Sequence, residues 1–99
     1  MSSAPASLRS ASGPRAALER EIQTAYPALL ALLRRLTGRA EIAQELCQDA
    51  VVRLIENADR VTDVRAWLFR TATHLAWDWL RRQRVRSEHA AAHPRSEEH

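Results

Sequence analysis

The sequence predicts an all-α fold, a small bundle of three or four helices, and three observations predict it. Apolar residues recur at a period near ~3.6 through the middle of the chain. No stretch alternates apolar and polar residues as a half-buried strand does. Among 99 residues there are only 2 glycines and 4 prolines, while Ala, Leu, Arg and Glu dominate, so good helix formers fill the body of the chain. That length gives room for one compact domain.

Residues 1–13, rich in Ser, Ala, Gly and Pro and without periodicity, read as a disordered segment. The first helical tract starts near Pro14 or Ala16, with Leu18 and Ile22 on its apolar side. Pro27 is expected to break or bend it near Tyr26, because proline has no backbone N–H to donate. A new helix then takes Pro27 in its first turn, carries Leu29, Leu30, Leu33 and Leu36, and ends at Gly38 as a C-terminal cap. The second tract, Ala40 to about Ala58, sets Ile42, Ala43, Leu46, Ala50 and Leu54 on one face. A short loop over residues 59–62 follows, and Asp63 is the expected N-cap of a third tract that continues to about Arg86. The helical domain thus spans 14–86. Residues 87–99, SEHAAAHPRSEEH, read as a linker or frayed end in which Pro94 closes any helix.

Charge separates the chain into halves. All 15 basic residues are arginines. From Glu19 to Asp59, five arginines face seven acids; from Arg60 to Arg86, seven arginines face only Asp63 and Asp78. An acidic half followed by a strongly basic one suggests two different partners, one of them a polyanion.

Several functions are not supported. The longest uncharged run of the body, Ile22 to Leu33, is shorter than the roughly 20 apolar residues of a membrane-spanning helix. The N-terminus has no apolar core of a signal peptide, and a single cysteine, Cys47, forms no intrachain disulfide, so a cytoplasmic protein without membrane insertion is expected. Cys47 stands at the edge of an apolar face, as a buried structural thiol does. His74 and Asp78 are four apart with no third metal ligand nearby, and there is no Gly-rich phosphate loop. No cofactor, metal or catalytic role is expected.

Two helical faces carry more than a core requires. At 100° per residue, Leu68, Ala72, Leu75 and Trp79 cluster within about 60° as a core face. Arg70, Thr73, His74, Trp77, Arg81 and Arg84 fall on the opposite face, with Trp67 at its edge. One reading is a solvated surface. The other is a platform for single-stranded nucleic acid, where arginines track phosphates and an aromatic plane stacks on an unpaired base. On the second tract, Glu41, Glu45, Gln48, Asp49 and Glu56 form a polar face with Val52 in its middle. That is a solvated face, or else an interface with a small dry centre and a charged rim that selects a basic partner.

Three pieces in order carry a family resemblance: YPALLALLRRLTG, AEIAQELCQDAVVRLIENADRV and DVRAWLFRTATHLAWDWLRRQR. Together, from about Tyr26 to Arg86, they resemble region two (the sigma2 domain) of an extracytoplasmic-function (ECF) sigma factor, the dissociable promoter-recognition subunit of bacterial RNA polymerase. The run RAWLFRTA is similar to the iron-uptake branch of that family. The resemblance implies that the second helix docks on the coiled coil of the polymerase β′ clamp. Glu45, Gln48, Asp49, Val52, Arg53 and Glu56 are then the polymerase contacts. It also implies that the third helix and the loop before it melt the promoter and capture the minus-ten element of the non-template strand. Residues from Arg60 to Arg65 would accept a flipped base, and Trp67, Arg70, His74, Trp77, Arg81 and Arg84 would line the strand. Trp67 falls where housekeeping sigma factors begin a tryptophan pair, Leu68 replaces the second member, and His74 stands where the family commonly has Asn. An anti-sigma factor is a further implied partner. Nothing here matches the family's C-terminal helix-turn-helix domain, so the chain is read as a fragment. The competing readings are a helical protein-interaction adaptor or antagonist, and a one-domain DNA-binding regulator.

Overall fold

The computed structural model describes residues 13–92. Three α-helices pack around one core: α1, Pro14–Thr37; α2, Ala40–Glu56; and α3, Val64–Ala92, with a single 3-10 turn at Ala58–Arg60 between the last two. No strand occurs among the described residues. Residues 1–12 of the expected disordered segment 1–13, and Pro94, lie outside the described residues.

The largest departure from expectation is at Pro27, where α1 runs on unbroken. Proline removes the bond that its N–H would make to the carbonyl of Gln23, four residues back. Both Pro27 and Gln23 are on the exposed side, so water can satisfy that carbonyl. On the opposite side Ala25, Leu29 and Leu33 are buried, with Leu18 and Ile22 packed against the same core. Burial along one stripe on both sides of the proline holds the two halves in one helix. Packing wins over propensity here.

The helix ends follow local chemistry. Gly38 takes φ 73°, a left-handed conformation that glycine adopts without Cβ strain, and its N–H donates to the Arg34 carbonyl at 2.8 Å. Buried Thr37 ties the α1–α2 turn together: its hydroxyl donates to the Leu33 carbonyl at 2.8 Å and accepts from the Arg39 N–H at 3.3 Å. Asp63 caps α3 as expected, its Oδ1 accepting from the Ala66 N–H at 3.1 Å. At its far end α3 continues through residues 87–92, where a linker or frayed end was expected after Arg86. Ala90, Ala91 and Ala92 are strong helix formers, and no proline interrupts before Pro94.

Small residues let the helices approach. Ala25, Ala43, Ala50, Ala72 and Ala76 are buried, and Leu29, Leu33, Leu54 and Leu68 fill the space between them. Trp79 and Leu75 pack against this core from its margin, as the α3 core face predicts. Cys47 is fully buried and in hydrogen-bond contact with Tyr26. Burial pushes its thiol above the ordinary value, and burial followed by the neighbouring sulfur does the same to the Tyr26 hydroxyl. Beyond Gln83, residues 84–90 are all exposed, so the end of α3 projects past the bundle. No helix among the described residues is long and apolar enough to cross a membrane.

Candidate functional site

The outer face of α3 is built as its periodicity predicts. Arg70, His74, Arg81 and Arg84 are exposed, and Trp77 leaves 56% of its surface to solvent. Trp77 therefore contributes little to the core. Its ring meets His74 with centroids 6.2 Å apart and planes inclined by 46°, giving a tilted aromatic pair on an arginine-flanked surface. Arg81 is held by an ion pair with Asp78 one turn back, whereas Arg70, Arg82, Arg84 and Arg86 make no ion pair among the described residues.

Trp67 is half-buried, because it sits where α3 meets α2. There the structure joins two sets of residues that the sequence kept apart. A cleft of about 590 Å³ between α2 and α3 is lined by Asp49, Val52, Arg53 and Glu56 on one wall and by Trp67 and His74 on the other. Val52 is 50% exposed within it. Asn57, Thr71, Leu75 and Asp78 complete the lining, and none of them stood out in the sequence as an interface residue. Thr71 and Asp78 could have been found from Trp67 by helical spacing; the α2 wall could not, since it depends on how the helices cross. The cleft carries three carboxylates against one arginine. Asp49 lies 3.8 Å from Arg53, but both are about half exposed, so this pair is easily exchanged for a partner's groups. Glu45 and Gln48 continue the exposed α2 row outside the cleft.

Arg60 and Arg65 are not brought to that stripe. Arg60 is exposed at the end of the 3-10 turn. Arg65 lies on the other flank of α3, its guanidinium 4.8 Å from the centre of the Phe69 ring and beside Arg20, Glu21 and Thr24 of α1. A second concavity of about 520 Å³ is lined by the start of α1, by Ile55, by residues of the 58–62 connection and by Val64. Its floor is apolar, with Leu18, Ile22, Ile55 and Val64, and loop residues Asp59 and Thr62 stand at its rim. No group of His, Cys, Asp or Glu suited to a metal ion occurs among the described residues.

Residues 22–86 match the family model for sigma-70 region 2. The chain belongs to that family. The match starts inside α1 and ends where α3 leaves the bundle, so both walls of the cleft and the loop lie within it. Comparison with curated proteins and with solved structures returned no match. Sigma-70 region 2 acts in transcription initiation, with RNA polymerase and promoter DNA as its partners, and is not an enzyme family. The arginine stripe of α3 and the acidic row of α2 both lie within the matched residues.

Proposed function

We propose that this chain acts as the region-two domain of an ECF sigma factor in the cytoplasm. In this role it binds the β′ clamp coiled coil through α2 and melts the minus-ten element by holding the single-stranded non-template DNA along α3. The observation that carries the reading is Trp77: a large aromatic ring left mostly in water, on the most arginine-rich helix of the chain. Opening a duplex exposes base faces, and an aromatic plane beside guanidinium groups stabilises the opened strand by stacking and phosphate contact. A base flipped from that strand reaches the concavity beside residues 58–64, where Thr62 and Asp59 can hydrogen-bond its edge over an apolar floor. On α2, Glu45, Gln48, Asp49, Arg53 and Glu56 surround Val52 as a charged rim around a small apolar centre, which suits a basic helical partner. An anti-sigma factor would act by covering either surface. The working unit is residues 14–86, and assignment to the iron-uptake branch rests on the run from Arg65 to Ala72 alone.

The deciding experiment measures binding of the chain to the isolated β′ clamp coiled coil, with helicity checked by circular dichroism. Saturable binding that Asp49→Arg and Val52→Glu abolish, while both variants stay folded, is expected. Undiminished binding by both would sink the clamp assignment.

A further inference from the structure

The far end of α3 projects into solvent as an arm with a dominant charge and an exposed apolar residue. Arg81, Arg82, Arg84 and Arg86 surround Val85, which is 59% exposed. The cleft between α2 and α3 has the opposite character: it is lined by Asp49, paired with Arg53, by Asp78, paired with Arg81, and by Glu56, together with the apolar Val52, Trp67 and Leu75. Glu56 makes no ion pair among the described residues. The arm therefore has the charge and the apolar anchor that the cleft lacks. A helix cannot fold back on itself, however. Val85 stands eleven residues beyond His74, about 16 Å along the axis at 1.5 Å per residue. An arm that filled the cleft would have to come from another molecule.

The spacing on α3 says which. Trp67, Thr71, His74, Asp78, Arg81 and Val85 follow one another at intervals of four, three, four, three and four. This is the seam spacing of a coiled coil, and it places the cleft wall and the arm's anchor on the same face of the helix. Trp67, His74, Asp78 and Val85 lie within about 40° of one another at 100° per residue.

We infer that this seam pairs with a second copy of the chain. Two α3 helices lie antiparallel about a two-fold axis, each arm seated in the other's cleft. The register follows from charge: Asp78 opposes the partner copy's Arg81, so the exposed pair that these two residues make within each copy is exchanged for the same pair across the seam, and this alignment sets His74 opposite the partner copy's Val85. One rotation satisfies both ends at once, as an isologous interface requires. The two-fold also brings Arg82 of each copy to the side on which the other's α2 lies, towards Glu56 and Asp49. Polar residues in the seam fix the register at a cost in strength, so the dimer is reversible and weakened by salt. It covers Trp67, His74 and the α2 wall, which makes it a resting form that competes with both strand and clamp.

Sedimentation velocity over a concentration series, at low and high salt, tests the pairing. The expected result is a concentration-dependent dimer that dissociates at high salt and is at least tenfold weaker in Val85→Asp. Binding to the clamp coiled coil should be retained in that variant, and strengthened at concentrations where the parent is dimeric, since Val85 belongs to neither the strand nor the clamp set. If Val85→Asp disturbs helicity, Val85→Ser makes the same comparison. Register is read by oxidising a mixture of the His74→Cys and Val85→Cys chains, in which the mixed disulfide should form faster than either homodisulfide; Cys47 is buried and silent. A monomer at every concentration overturns the inference. So does a dimer indifferent to both Val85 substitutions, or a preference for the 85–85 disulfide, which the proposed register forbids.

Discussion

Two tryptophans two residues apart on α3 should behave as opposites. Trp77 is 56% exposed and stands outside the set packed on the core, whereas Trp79 packs against it. Replacing Trp77 by alanine should move stability by no more than about 0.5 kcal/mol, as surface substitutions do, with alanine's better helix propensity acting in its favour. Trp79→Ala should cost about 3 kcal/mol, the low end for a core tryptophan, because its ring is only partly covered. The functional effects should invert. Loss of a stacking plane is worth about 1–3 kcal/mol per base, or about 5- to 140-fold in affinity for single-stranded DNA. The assay is fluorescence anisotropy of a short labelled single strand of mixed sequence, with the same DNA as a duplex for comparison and thermal unfolding run beside it. Trp77→Ala should lose single-strand affinity with its melting temperature held. Affinity within twofold of the parent would refute the stacking argument. A melting temperature lowered as far as in Trp79→Ala would show that Trp77 is a core residue after all.

Salt supplies an independent reading of the same surface. If Arg84 contacts a phosphate, Arg84→Ala should flatten the plot of log affinity against log salt by about 0.7 for a single strand, and an unchanged slope would remove it from the path. Pro27→Ala restores a donor to the Gln23 carbonyl in mid-helix and should stabilise the fold by about 1–3 kcal/mol in chemical denaturation; destabilisation would mean that the proline's shape is required. Cys47 and Tyr26 both have their pKa raised in the folded state, so the native chain holds these protons to higher pH than the unfolded one. Stability from this source is complete below the ordinary thiol value of 9.0 and is lost as pH rises through the raised values. Melting temperature should therefore fall above that pH, less steeply in Cys47→Ala, and an equal fall in both would assign it elsewhere.

Much of this protein was legible in one dimension because the interactions that form it are local. The i, i+3 and i+4 spacing of Leu29 and Leu33, or of Ala43, Leu46, Ala50 and Leu54, places each set on one face whatever the rest of the chain does. Gly38 and Asp63 cap their helices through bonds to residues three or four positions away. The exposure of Trp77 followed in the same way, from its position opposite Leu68 and Ala72 on a single helix. The resemblance carried by runs such as RAWLFR pointed to the family that the match over residues 22–86 shows.

Where distant residues meet, the sequence was silent or misleading. The continuity of α1 through Pro27 depends on burial against α2 and α3 on both sides of the proline, and a propensity argument knows nothing of that burial. Asp49, Val52 and Glu56 share a cleft with Trp67 and His74 only because α2 and α3 cross where they do. Helical period and caps are properties of a few consecutive residues, so the sequence determined which stretches are helical and the character of each face. Which faces meet depends on side-chain shapes fitting across helices far apart in the chain, and that the tertiary structure alone decided.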